Sequence, residues 1–452
     1  MLPSYQVFRR MLGAIVDDKQ EQGYVVDGLR ERVEALPDSY DAMVAFGRGL
    51  SELARRPDWP YVEPDALDEI LAECDPERPR GAIGRVQPDE AAARASAAFL
   101  GLVCGCILGK PIEVGPTPTQ VRRAAEAVGE WPIDDYISER MLDALGKRHP
   151  SWTGTVRGQI RHVVPDDDIN YPVLGMLLLE RHGLAFTKDD VRRLWKEALP
   201  IGSCWGPERT INAKIGLRSL EEVWLGYTPA PVDDEVLEAW VEELNPWDEL
   251  CGALIRVDAY GYAAPGNPAL AAELAWRDAS FTHRRNGIYA AMFVAAAIAA
   301  AFVASDPLEP FEQALRFVPR RSRFYESVAQ QLDIVRSADR WEEASEEVQR
   351  RFGTFGSCHI YQEIGCMMTA VRFAESVGHG ICLQVSQGLD TDSFGARVGS
   401  ILGALLGPGH LHERWLVPFN DEIHTTVAVV YEPSLRAVAD RMGALTRLAR
   451  SD

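Results

Sequence analysis

HVVPDDDINYPVLGMLLLERHG, residues 162–183, sets three aspartates side by side directly ahead of a helix as apolar as VLGMLLL. Adjacent carboxylates repel, and burying such a triplet is tolerable only where cations or protons offset the charge. Either Asp166, Asp167 and Asp168 lie in solvent as an ordinary helix start, or something positive sits among them. Capping explains part of the pattern. Aspartate and asparagine accept the free amides of a helix N-terminus and suit its macrodipole, with Asn170 as cap and Pro172 near the first turn. A cap, however, needs only a single carboxylate.

A second cluster stands far downstream in ICLQVSQGLDTDSFGARVGSILGALLG, residues 381–407. Asp390 and Asp392 are followed by Ser393 and a glycine-rich apolar helix, the same grammar as the first cluster. Residues two apart do not share a helix face, so both carboxylates converge only from a turn or a first helical residue. Aspartates joined by a hydroxyl are hard oxygen donors, suited to Mg²⁺ or Mn²⁺ rather than zinc.

The rest of the chain sets the frame. It has 452 residues, room for one large catalytic domain and an appendage. The 47 basic against 67 acidic side chains, net charge −20, argue against nucleic acid or anionic membranes as general partners. The eight cysteines show no zinc-ribbon or redox spacing, which reads as reduced thiols in a cytoplasmic protein. The first twenty residues lack the features of a signal peptide. The most membrane-like run, GIYAAMFVAAAIAAAFVA (287–304), is dominated by alanine and short for a span. It reads better as a closely packed buried helix.

No sustained alternation of period two is present, so an all-α architecture is expected. Residues 1–85 read as an N-terminal helical extension, with amphipathic helices interrupted at LPDSYD (36–41) and RRPDWPYVEPD (55–65). CDPERPRGAIGRVQPDE (74–90) reads as a linker into a catalytic domain spanning 86–452, with a helical excursion near 218–250.

Four segments, AAFLGLVCGCILGKPIE (97–113), PDDDINYPVLG (165–175), DASFTHRRNGIYAAMFVAAAIAAAF (278–302) and LQVSQGLDTDSFGARVGSILGALLG (383–407), resemble the ADP-ribosylglycohydrolase superfamily in matching order. The resemblance covers about residues 91–407. It implies an all-α fold, a pair of Mg²⁺ ions, and hydrolysis of a ribosyl bond. Asp167 and Asp168 match the early ligand pair, Asp390 and Asp392 the late pair, and Ser393 the hydroxyl ligand. Asp166 stands where the family usually has threonine, and Ile169 replaces a second common threonine. The metal site implied is therefore more acidic than usual, with Asp166 counted among the ligands.

Such a site holds the ribose cis-diol while an oriented water attacks the anomeric carbon. Asp168 or Asp392 is the expected proton acceptor, and Glu113 a lid or acid/base candidate as an alternative to a plain surface charge. By resemblance His283 lies near bound ribose and phosphate, and Arg256 lines the pocket; the plain alternatives are a structural histidine and an ion pair. Trp205 and Tyr260 could stack on a base but fit core or surface positions equally. The substrate is expected to be an ADP-ribose conjugate, including an ADP-ribosylated protein, or a smaller nucleoside- or NAD-derived metabolite. CGCILGKP superficially looks like a phosphate loop but lacks its glycine and hydroxyl positions. Two competing classes remain. One is a binding protein for ADP-ribose or a nucleotide without turnover. The other is a terpene-synthase-like diphosphate enzyme, which needs a second Asn/Asp-Ser/Thr-Glu motif on a later helix; NDEIHTTVAVVYE (420–432) is the nearest candidate and misses the spacing.

Overall fold

The computed structural model describes residues 3–113, 115–224 and 232–450. Among these residues the protein is built of helices, with only isolated β-bridges, so the all-α expectation holds. The alanine-rich run forms the helix Arg285–Ala301, in which every residue is buried. An alanine methyl contributes only about 0.8 kcal/mol on burial, so its value here is closeness rather than area. The helix packs against Pro268–Ala279, Glu309–Leu315 and Thr391–Leu406. Among the described residues the helix long and apolar enough to cross a bilayer is instead Pro88–Ile112, and it is mostly buried inside the protein.

Pro88–Gly109 and Thr391–Leu406 make the most extensive helix pair. Glycines face glycines along it: Gly101 meets Gly399, Gly105 meets Gly395, and Gly109 meets Thr391. A methyl built on Gly395 would lie 2.7 Å from the Gly105 carbonyl oxygen, so any side chain there would force the helices apart. Residue numbers rise on one helix as they fall on the other, so the pair is antiparallel. The C-terminal end of the first helix therefore abuts the N-terminal end of the second, where the Thr391 hydroxyl donates to the Gly109 carbonyl at 2.8 Å.

The extension carries its own small core. Helices Tyr5–Glu21, Leu29–Ala35 and Tyr40–Gly49 enclose Phe8, Leu12, Val33 and Met43. The interruption expected at 55–65 is a non-helical strap whose Glu63 carboxylate, nearly inaccessible, accepts from Arg323 and Asn286. The excursion expected near 218–250 includes the end of Gly206–Trp224 and the helix Asp234–Glu242; residues 225–231 lie outside the described part. The 420–432 segment is not helical, which removes the second motif a terpene-synthase-like enzyme would need.

Candidate metal centre

Asp166 caps the helix Asp167–His182, its Oδ1 accepting the Asp168 amide at 3.0 Å. Asn170 does not cap, contrary to expectation. It lies inside the first turn, where its amide group exchanges hydrogen bonds with Thr426 at 2.9 and 3.1 Å. Pro172 sits within the helix and has no N–H, so the Asp168 carbonyl loses its helical partner. Arg397, from the late helix, donates to that carbonyl at 3.2 Å and pairs with Asp258 at 3.0 Å. Ser393 Oγ donates to Asp168 Oδ2 at 2.9 Å. Two acidic helix starts separated by 225 residues are thus joined directly.

The glycine crossing brings a third party. Lys110, one residue beyond Gly109, places Nζ 2.6 Å from Glu113 Oε2, 2.7 Å from Asp166 Oδ2 and 3.0 Å from Asp392 Oδ2. Read from sequence only as part of a failed phosphate loop, this lysine is a buried ion-pair hub. From behind, the fully buried Glu363 accepts the Asp390 amide at 3.1 Å and fixes the turn that presents it.

Glu113, Asp166 and Asp392 therefore share one ammonium, while Asp168 has Arg397 at 3.7 Å, itself shared with Asp258. Asp168 Oδ1, Asp390 Oδ1 and Asp392 Oδ1 are buried oxygens that no hydrogen-bond donor reaches. Buried polar atoms are seldom left so, and hard cations are the natural partners of such oxygens. The donor set fits a magnesium-class ion. Protons show the same deficit. Burial, then the charge of Asp392, pushes the Glu113 carboxyl up to about 11. Burial, then Asp166, pushes Asp167 up to about 8, and Asp168 and Asp390 also rise well above the carboxylate range. Asp392 goes the other way: burial opposes ionisation, but Lys110 beside it and the hydrogen bonds from Glu113 and Lys110 outweigh that.

A cavity of about 380 Å³ opens in front of Lys110, Glu113, Asp166 and Asp167. A hollow of about 160 Å³ shares Glu113, Asp167 and Trp205 with it and reaches Asp168, Asp390 and Ser393. Trp205 is 59% exposed on the rim of both, with the Arg209 guanidinium 4.2 Å over its ring. Tyr260 is buried and stacked on Phe186, a core residue.

Arg256 and His283 come together, but one layer behind the wall. Arg256 donates to Glu208 and Asp278 at 2.5 Å each and to Thr282 at 2.6 Å. His283 shares the Thr282 hydroxyl at 2.8 Å, is fully buried, and is held neutral by burial and then by the nearby Arg256. The direct substrate contact expected of both would require these bonds to break. Glu208, which lines the smaller hollow, is the residue through which they reach the site.

Among solved structures, one described as an "ADP-ribosylglycohydrolase-related protein complex" is similar at 20% identity over 79% of this chain and 99% of that chain, with a TM-score of 0.44. No curated protein matches. The family model for ADP-ribosylglycohydrolase matches residues 87–451, which takes in both acidic helix starts, the lysine between them and the glycine crossing that joins them. The chain belongs to the ADP-ribosylglycohydrolase family.

Proposed function

We propose that this family member is a magnesium-dependent hydrolase that cleaves the ribosyl bond of an ADP-ribosylated substrate or of a smaller nucleoside- or NAD-derived metabolite. The observation that carries the reading is the meeting of Asp168 with Ser393 on the wall of a hollow that Asp390 also lines, with the buried Asp390 Oδ1 reached by no donor. Asp167, Asp168, Asp390 and Ser393 would hold the ion, and manganese suits the same donors. When bound, it supplies Lewis acidity and a grip on the ribose diol. The ammonium of Lys110 pairs with one oxygen each of Glu113, Asp166 and Asp392, and on this reading it takes the place of the second ion that the family resemblance implies. Asp392, kept ionised beside Lys110, accepts the proton of the attacking water, with Asp168 behind it. Glu113, protonated at neutral pH, reaches the cavity as the donor to the leaving group. Trp205 offers a face for a base or another flat leaving group.

The test is incubation of the full chain, with Mg²⁺ or with chelator, against ADP-ribosyl-arginine, ADP-ribosyl-serine, NAD and simple nucleosides. Metal-dependent release of ribose or ADP-ribose from one of them, lost in Asp390→Asn, is expected. Metal-dependent binding without turnover of any would make the protein a nucleotide-binding relative instead.

A further inference from the structure

Cys251 and Cys358 are distant in sequence and neighbours in space. The Cys251 amide donates to the Cys358 carbonyl at 3.1 Å, next to an antiparallel bridge between Leu250 and His359. Cys251 Sγ lies 3.5 Å from Asp390 Oδ2, and the two sulfurs and an Asp390 oxygen all fall within 4.8 Å of one another. We propose that Cys251, Cys358 and Asp390 form a site for a thiophilic divalent ion of the zinc class, on the wall of the smaller hollow.

Three features show that this trio is built rather than incidental. Glu363 Oε1 accepts the amides of both Cys358, at 3.2 Å, and Asp390, at 3.1 Å, so one buried carboxylate sets two of the three ligands. Cys358 holds a left-handed backbone, φ +65°, which a residue with a Cβ adopts only when its surroundings impose it. Asp390, 1% exposed, keeps Oδ1 without a hydrogen-bond donor. All three residues line the hollow, so an ion has a way in.

Two thiolates and one carboxylate favour zinc over magnesium, and three protein ligands leave the fourth tetrahedral position open to the hollow. Binding converts two thiols to thiolates and releases both protons to solvent; no electrons move. Asp390 is the shared element. An ion held by the thiols draws this carboxylate away from the oxygen cradle, so thiophilic ions and magnesium oppose each other. The site itself stands whether or not the cradle binds magnesium.

Reduced, metal-free protein titrated with Cd²⁺ should develop a thiolate-to-cadmium charge-transfer band that saturates at one equivalent and is reversed by Zn²⁺. The band should vanish in Cys251→Ser and in Cys358→Ser, each checked for folding by its melting curve, and should persist in Cys106→Ser. Calorimetry should show Mn²⁺ binding weakened at least tenfold by prior Zn²⁺ in the wild type and unchanged by it in Cys358→Ser. A band that survives in the Cys251/Cys358 double serine variant overturns the proposal. So does a wild type that gives no band, including one that instead closes a disulfide on exposure to hydrogen peroxide.

Discussion

Two regions of this protein cluster charged side chains and partner their carboxylates differently. Around THRRN (282–286) each arginine bridges carboxylates. Arg256 meets Glu208 and Asp278; Arg284 meets Glu238 and Glu242; Arg285 meets Asp248 and Glu249; Arg323 meets Glu63 and Glu249. At the mouth of the glycine crossing, Lys110 serves Glu113, Asp166 and Asp392, part of Arg397 serves Asp168, and neither Asp167 nor Asp390 is ion-paired with a basic side chain among the described residues. In the first region each of these seven carboxylates touches a guanidinium, and the network acts as masonry. The second has a deficit of positive charge that only protons or a bound cation can remove. Whether each carboxylate has its own guanidinium, more than charge itself, separates the arginine knot from the candidate site.

Neutralising one carboxylate in the cradle gives the largest contrast. If the proposed ion is held as inferred, Asp168→Asn removes one of its ligands and should lower turnover by about 100-fold or more. The same change should raise the melting temperature of chelator-treated protein at alkaline pH, where the buried acid is forced to ionise among like charges and the amide is not; a fall in that temperature would break the comparison. In the arginine knot the sign reverses. Arg256→Met leaves Glu208 and Asp278 buried without their cation and should cost about 3–5 kcal/mol in urea unfolding.

Lys110→Met sharpens the cradle side. Calorimetry should count one Mn²⁺ per chain in the wild type and two in the variant; equal counts would show that the ammonium holds no ion position.

The smallest effect belongs to Asp18, an acid at the edge of the knot with no arginine of its own. Burial, then the charge of Asp248, pushes its carboxyl from 3.8 up to about 8. A folded pKa above the unfolded one means the contribution is fully present below pH 3.8 and is lost as pH rises through about 8. Asp18→Asn should therefore match the wild type in thermal melts at low pH and exceed it by a few degrees above pH 8. A constant difference across that window would remove the ionisation as the cause.

Much of this was legible in the sequence, and the boundary has a physical form. The two acidic clusters announced themselves because each is local: neighbouring carboxylates ahead of an apolar helix. The buried alanine helix was legible for the same reason. Lys110 was not, since its partner Asp392 is 282 residues away and only the glycine register brings them together. The thiol pair escaped because spacing rules detect cysteines close in sequence, and Cys251 and Cys358 meet through a backbone bridge instead. Arg397 could have been suspected from Pro172, which strips the Asp168 carbonyl of its helical donor, but not identified. Resemblance put Arg256 and His283 near the site; burial sets both one layer back, Arg256 on Glu208, Asp278 and Thr282, and His283 with Nδ1 on Thr282 and Nε2 without a partner.

The interlocked glycines also limit how this protein can change over evolutionary time. One residue inserted between Gly101 and Gly109 would carry Lys110 about 1.5 Å along the axis and roughly 100° around it, out of reach of Asp392. Lineages can thus retune the chemistry by exchanging side chains at the mouth, but a shift of length in either helix dismantles it.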